Sequence, residues 1–206
     1  MPRTDEFTAL SSAIDLADRA LGDTPNHDFR DDVDRLRCRS YVFLCHAALE
    51  EYLESLSLSV LQQAYDGFLE GTVSQPVVEA CSYYQIRLSD VQHRSHGPLS
   101  LKRVIFEASE LALRTHRAAI KGNNGIKTDD QRKLFRPVGF DVHDFDHVLS
   151  QKLNSYGEAR GSIAHLFHIR EERPRAALQS DISLIKRLIE PFDEAVSQLS
   201  KVPIFA

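Results

Sequence analysis

The sequence lacks any apolar run approaching the ~20 residues that a membrane-spanning helix requires. Residues 1–6 contain no apolar core, so we expect no secretory signal peptide. Cysteine is scarce: Cys38, Cys45 and Cys81 are the whole set, and no two of them form a Cys-x-x-Cys pair. We therefore expect reduced thiols in a cytoplasmic protein that has no membrane partner.

The chain also lacks an excess of positive charge. It has 25 Lys and Arg residues and 30 Asp and Glu residues, which gives a formal net charge of −5. This balance argues against broad, non-specific coating of nucleic acid, although it leaves room for a local basic site. At 206 residues with 42% hydrophobic content, the chain is long enough for one domain with a sizeable core, predicted over residues 1–206.

No stretch alternates between apolar and polar residues as a half-buried strand does. Apolar residues instead recur at helical spacing, and Gly22, Gly71 and Gly122 end three of the helical stretches. The pattern predicts an all-α antiparallel bundle of five to six helices. We expect helices over about 4–21, 28–69, 77–88, 100–121, 141–169 and 174–199, the last one kinked at Pro191.

The predicted long helix has an apolar stripe that we expect to face the core. The stripe consists of Phe29, Val33, Leu36, Phe43, Ala47, Leu53, Leu56, Val60, Ala64 and Phe68. In the helix over 100–121, we expect Val104, Leu111 and Ala118 to point inward.

A short motif near the end of the helix over 141–169 combines an arginine and a histidine: Arg160-Gly161-Ser162-Ile163-Ala164-His165. Histidine transfers protons near neutral pH, and arginine keeps a permanent charge against a phosphate that gains negative charge in the transition state. An arginine and a histidine are the pair of side chains needed to cut RNA without a metal, so the motif suggests this chemistry as a hypothesis. On an ideal helix, positions five apart lie about 140° apart around the axis, so a two-fold dimer would bring four such groups into one groove.

A local excess of basic residues follows the motif. Residues 160–175 contain four arginines and two glutamates, and the histidines add potential charge. We expect His168, Arg170, Arg173 and Arg175 to form an RNA-binding rim. The alternative is a solvated loop between two helices.

Three segments in this order resemble the HEPN superfamily (higher eukaryotes and prokaryotes nucleotide-binding domain). They are the early helix with Arg39-Ser40-Tyr41 through Leu49-Glu50, the segment Leu134-Phe135-Arg136-Pro137-Val138-Gly139-Phe140, and the late helix ending in Arg160-x4-His165. The resemblance covers about residues 30–190 and is nearest to prokaryotic branches that include RiboL-PSP-like proteins of toxin–antitoxin and phage-defence loci.

The resemblance implies a metal-independent endoribonuclease that works as a homodimer, with two arginine–histidine motifs facing each other in a cleft. Arg160 and His165 would be catalytic, and Glu50 matches a polar position that supports the site. The products would be a 2′,3′-cyclic phosphate and a 5′-OH. The implied partners are RNA, a second copy of the chain and an antitoxin or defence-complex protein, without a cofactor.

The chain departs from the family pattern at two positions. The residue after the motif arginine is usually Asn, Asp or His, and here it is Gly161. Some family toxins carry a tyrosine two residues after the histidine, to which a partner attaches AMP. Here that residue is Phe167, which has no hydroxyl to modify.

Other interpretations stay open. The chain could be a non-catalytic HEPN module that binds RNA, a nucleotide or a protein, or a helical scaffold subunit of a defence complex. Arg160 could form a surface ion pair with Glu158 or with an acid of a partner, and His165 could be a hydrogen-bonded buried histidine. His143 and His147 have the i, i+4 spacing of zinc ligands, but no third ligand is evident nearby, so we predict no metal site.

Overall fold

A computed structural model describes residues 3–87, 101–165 and 172–204, without the side chains of Leu101, Lys102 and His165. The described residues form eight α-helices, more than the five to six predicted, and no strand apart from one bridge between Ser74 and Pro203. In chain order these are α1 Asp5–Ala20, α2 Asp32–Leu69, α3 Gln75–Tyr83, α4 Leu101–Lys121, α5 Thr128–Phe135, α6 Val142–Phe145, α7 His147–His165 and α8 Arg175–Gln198. A 3-10 turn, Arg136–Val138, follows α5. The all-helical prediction is confirmed for this part of the chain.

Local signals explain where the first helices begin and end. Thr4 caps α1 because its hydroxyl accepts a hydrogen bond from the Phe7 amide at 3.0 Å. The Asp31 carboxylate caps α2 in the same way, accepting from the Val33 and Asp34 amides. Helix α2 ends in a Schellman turn, in which the Thr72 amide donates to the Gly67 carbonyl and Gly71 has a φ of 97°.

The described residues divide into two compact units, and α2 contributes to both. The first unit consists of residues 1–53, 124–129 and 142–194. Its buried residues come mainly from one face each of α1, α2, α7 and α8: Phe7, Leu10, Ile14, Tyr41, Cys45, Leu49, Leu149, Leu153, Ile185, Ile189 and Phe192. A buried carboxylate joins α8 to α1 and α2, since Asp193 accepts from the Thr4 hydroxyl at 2.6 Å and from the Tyr52 hydroxyl at 3.0 Å.

The second unit consists of residues 54–123, 130–141 and 195–206. Its buried apolar side chains come from the second half of α2, from α3 to α5 and from the 3-10 turn: Leu56, Val60, Leu61, Ala64, Val77, Ala80, Ala112, Leu113, Leu134, Phe135 and Val138. Within this unit, Gly139 has a φ of 78° and lies against α3, so that a Cβ there would come within 2.6 Å of the Gln75 side-chain nitrogen.

Several sequence predictions about these helices were wrong. The single helix expected over 141–169 is two helices, because the Asp146 carboxylate accepts from the Val148 and Leu149 amides and starts a new one. Residues 128–135, which lie outside every predicted helix, form α5. Ala118, expected to point inward, is exposed.

The apolar stripe of α2 was predicted correctly only in its second half. Leu53, Leu56, Val60 and Ala64 are buried. Val33, Leu36, Phe43 and Ala47 are exposed, and the first half of α2 is buried through Cys38, Tyr41, Val42, Cys45, Ala48 and Leu49 instead. This helix has apolar residues on every side, so its sequence period does not select the buried face.

Candidate functional site

Helix α7 carries the motif arginine, and the motif histidine is the last of its described residues. Its backbone remains α-helical through Gly161, where a Cβ would meet no atom of the described residues within 4 Å. The glycine is therefore not required for packing in the first unit. Because the helix is continuous, positions 160 and 165 lie about 140° apart around its axis. The side chain of His165 lies outside the described part of the structure.

Arg160 is half-buried, and its guanidinium lies over the ring of Phe43 on α2, 5.8 Å from the ring centroid. This is a cation–π contact at a partly exposed position, worth about 0.5–1 kcal/mol. A guanidinium held by its face keeps its N–H edge for hydrogen bonding. Glu158, the alternative ion-pair partner for Arg160, accepts a hydrogen bond from the Asn154 amide at 2.9 Å.

Glu50 lies on the same helix as Phe43, seven residues further on, which is about 10 Å along the axis. Its carboxylate oxygen is 3.8 Å from Nδ1 of the buried His46. Along the axis of α2, His46 therefore lies between Phe43, which Arg160 contacts, and Glu50. His46 was not among the predicted site residues, although its i, i+4 spacing to Glu50 was the available signal.

The described members of the predicted basic rim have partners within the first unit. Arg173 forms an ion pair with Asp181 at 2.5 Å. Arg175 donates to the carbonyl oxygens of Gly22 and Thr24, both at 3.0 Å, and thereby fixes the turn after α1. His168 and Arg170 lie outside the described residues. A role of this rim in RNA binding stays a prediction.

A cavity of about 120 Å³ lies in the first unit beside the motif helix. Its apolar lining comes from Phe29, Cys38, Val42, Tyr156, Ala159, Ile163 and Leu178. Two arginines of α2, Arg35 and Arg39, also line it, and both pair with the carboxylate of Glu172. Sequence reasoning missed this cluster. The i, i+4 spacing of the two arginines was the only local signal, and their shared carboxylate lies 133 residues away from Arg39.

The buried thiols are poor nucleophiles. Burial raises the pKa of Cys45 to about 12, against weaker opposing effects of Tyr41 and Tyr156. Burial also raises the pKa of Cys38 and Cys81. All three cysteines are free, as the sequence predicted, and the thiol rather than the thiolate form dominates at neutral pH.

His143 and His147 lie in different helices, α6 and α7, with ring centroids 6.4 Å apart. Among the described residues, no group of three or more His, Cys, Asp and Glu side chains is arranged to hold a metal ion. No described helix is both long and apolar enough to cross a bilayer.

Residues 3–198 match the sequence model of the RiboL-PSP-HEPN family, so the chain belongs to this family. The match covers nearly the whole chain and confirms the resemblance that rested on the three sequence segments. Neither the curated proteins nor the solved structures include a significant match to the chain.

Proposed function

We propose that this protein is a metal-independent endoribonuclease whose active site forms at a homodimer cleft, and that it acts as a toxin or phage-defence effector. The observation that carries the proposal is the position of Arg160. Helix α7 holds its guanidinium against Phe43, on the strip of α2 that also bears His46 and Glu50. Family membership supplies the expectation that an arginine and a histidine with this spacing act together.

In the proposed mechanism, His165 removes the proton from a ribose 2′-OH or donates one to the leaving 5′-oxygen. The 2′-oxygen attacks the adjacent phosphorus, and the bond from phosphorus to the 5′-oxygen breaks. Arg160 stabilises the extra negative charge of the pentavalent phosphorane through its N–H donors. The products are a 2′,3′-cyclic phosphate and a 5′-OH, and DNA survives because it has no 2′-OH.

A second copy of the chain is part of the proposal for two reasons. First, positions five apart lie about 140° apart around the axis of an ideal helix, so we do not expect one chain alone to present both motif residues to one phosphate. Second, α2 exposes an apolar strip beside the site, within an arc of about 100° on an ideal helix. It consists of Val33, Leu36, Phe43, Leu44 and Ala47, of which Leu36 is 62% exposed. An exposed apolar strip of this kind is typical of a protein interface.

The dimer is tested by sedimentation velocity on the wild type and on Leu36→Glu. We expect a charge on this strip to convert dimers to monomers and to abolish RNA cleavage. Leu16→Glu is the matched control, because Leu16 is 65% exposed and lies on α1. A dimer that survives Leu36→Glu and Leu44→Glu together would contradict the proposed interface.

The nuclease is tested by incubating the purified protein with end-labelled tRNA and mRNA in EDTA. We expect cleavage that survives chelation, leaves cyclic phosphate ends and disappears in Arg160→Ala and His165→Ala. Arg103→Ala is a matched control, since Arg103 is an exposed arginine that pairs with Glu107 on α4 of the second unit. Cleavage that persists in both motif variants would overturn the assignment of the site.

One observation favours a second candidate, a non-catalytic HEPN module that binds RNA, a nucleotide or a protein. The chain has Gly161 where the family usually has a polar residue, so a hydrogen bond that supports the motif is missing. Tight RNA binding without cleavage of any substrate would favour this module over the nuclease.

A further inference from the structure

Two arginines near the start of α2 converge on a single carboxylate. Arg39 Nη2 donates to Glu172 Oε1 at 2.6 Å, and Arg35 pairs with the other oxygen, Oε2. The two arginines are one helical turn apart, about 6 Å along the axis. Each presents a planar fork of N–H donors, and such forks bind the oxygens of carboxylates and phosphates with the same geometry.

Among the residues that the structure describes, the charges in this cluster do not balance, because two guanidiniums share one carboxylate. Arg35 has a further contact with Asp32, but at 3.6 Å and with a carboxylate that is fully exposed. Among the described residues, the buried Nε–H of Arg39 has no hydrogen-bond acceptor. A buried donor without an acceptor is costly, so an acceptor that reaches the Arg39 Nε–H would stabilise this cluster.

The cluster lies on the strip of α2 that bears Phe43, His46 and Glu50, beside the proposed active site. On an ideal helix, Arg35, Arg39, Phe43, His46 and Glu50 fall within an arc of about 80° and span about 22 Å. Arg160 contacts this strip at Phe43, one turn beyond Arg39. An RNA strand with its reacting phosphate at Arg160 and its chain along α2 therefore passes over Arg39 and Arg35.

We propose that Arg35 and Arg39 bind a phosphate of the RNA beside the one that reacts, and that Glu172 occupies this site as a built-in competitor. The inference rests on the proposed function, since it takes RNA as the ligand. Glu172 is only 17% exposed, whereas the side chains of Arg35 and Arg39 are 40% and 30% exposed. The arginines are therefore accessible to a strand from solvent, and binding displaces the Glu172 carboxylate from them.

The test measures binding separately from cleavage. A fluorescein-labelled, fully 2′-O-methylated single-stranded RNA binds without reacting, and its affinity is read by fluorescence anisotropy across a series of salt concentrations. We expect Glu172→Gln to tighten binding about three- to tenfold, because it removes the competing charge. We expect Arg39→Gln to weaken binding and to lower the salt slope by about 0.7, the value for one phosphate contact on a single strand.

We call Arg35 and Arg39 the clamp. Two matched controls separate an effect of the clamp from a general change of charge. Glu190→Gln removes a carboxylate of the same unit that pairs with Arg3, and we expect it to leave the affinity unchanged. Arg37→Gln removes an arginine that lies between the two clamp residues in sequence but pairs with Asp23. All variants are first compared by thermal melting. If Arg39→Gln is unfolded, Arg39→Lys replaces it, because lysine keeps the charge and loses the bidentate fork.

The outcomes distinguish this inference from the proposed function. Affinity changes as expected without cleavage of any RNA would support the clamp and reject the nuclease. Cleavage by the wild type, with no affinity change in Glu172→Gln or Arg39→Gln, would reject the clamp and keep the nuclease. If Glu172→Gln binds inorganic phosphate in calorimetry but leaves RNA affinity unchanged, the site takes a free anion and the RNA clamp is overturned. The clamp is also overturned if neither the wild type nor Glu172→Gln binds the RNA.

Discussion

In the second unit, Nε2 of His116 lies 2.8 Å from the hydroxyl oxygen of Ser57, and both residues are fully buried. The Ser57 hydroxyl donates its only proton to the Leu134 carbonyl. Nε2 of His116 must therefore carry a proton and donate to Ser57, while Nδ1 accepts from the Tyr84 hydroxyl at 2.8 Å. This chain of hydrogen bonds is complete with a neutral imidazole, so Ser57 is a structural residue rather than a nucleophile activated by His116.

The His116 network makes the protein sensitive to acid. Burial lowers the pKa of His116 from 6.5 to about 4. Above pH 6.5 the group is neutral in both folded and unfolded chains and has no effect on the pH dependence. Between pH 6.5 and 4 only the unfolded chain takes up the proton, so the free energy of unfolding falls by up to about 3 kcal/mol; below pH 4 the effect levels off. Urea unfolding at a series of pH values measures this loss.

The control for that experiment is His116→Gln, whose amide can both donate to Ser57 and accept from Tyr84. We expect this variant to lose less stability than the wild type between pH 6.5 and 4. Equal losses in the two proteins would mean that another group causes the acid sensitivity. Asp34 does not cause a loss of stability between pH 6.5 and 4. The hydrogen bond from Arg30 holds its pKa below the ordinary value of 3.8, so its contribution to the free energy of unfolding is lost only at lower pH.

A polar residue after the motif arginine should raise the rate of the proposed RNA cleavage. A Cβ at Gly161 meets open space, so we expect Gly161→Asn to fold normally and to gain a few tenths of a kcal/mol in helix propensity. If the missing side chain limits catalysis, the rate of RNA cleavage rises. Gly161→Ala separates this effect from helix propensity, since it adds no hydrogen-bonding group. A lower rate in Gly161→Asn than in Gly161→Ala would contradict the expectation.

An asparagine at Gly157, four residues before Gly161, should destabilise the protein. A Cβ there lies 3.1 Å from Lys127 Cγ and 3.4 Å from Ile126, which is tighter than ordinary contact, and the residue is buried. We therefore expect Gly157→Asn to be destabilised by about 1–3 kcal/mol through overpacking. Thermal melting of the two asparagine variants side by side checks this contrast. Equal melting temperatures would argue against close packing at Gly157.

Asp193 should be one of the most sensitive polar residues in the first unit. It is 3% exposed and accepts from the Thr4 hydroxyl, the Thr4 amide and the Tyr52 hydroxyl. Asp193→Asn replaces one acceptor oxygen by a donor and leaves a buried donor unpaired, so we expect a loss of about 1–3 kcal/mol in the free energy of unfolding. Glu190→Gln changes an exposed ion pair on the same helix, and its loss should stay below about 1 kcal/mol. Similar losses in both variants would show that the Asp193 bonds contribute little.

The thiols should react slowly in the native protein. Because the pKa of Cys45 is raised to about 12, almost no thiolate is present at pH 8. We expect Ellman's reagent to modify Cys45 only on unfolding and the half-buried Cys81 before it. Mass spectrometry of peptides from partly modified protein identifies the order. Rapid modification of Cys45 under native conditions would contradict its burial.

Sequence alone determined the features that depend on neighbours along the chain. The Thr4 cap, the apolar period of α1 and the glycine after it specify that helix, because each acts within one or two turns. The motif from Arg160 to His165 and the order of the three segments were sufficient to indicate the family that the match over residues 3–198 confirms. The break at Asp146 was missed because an aspartate caps a helix only when its side chain folds back on the next turn.

Only the tertiary structure decided which side of each helix is buried and which distant residues meet. Helix α2 is apolar on all sides, so the choice between Phe43 outside and Cys45 inside depends on what packs against it. The contacts of Arg160 with Phe43, of Arg39 with Glu172 and of His116 with Ser57 join residues that are far apart in sequence. No local pattern encodes such pairs, because they form only when several helices pack together and bury their partners at once.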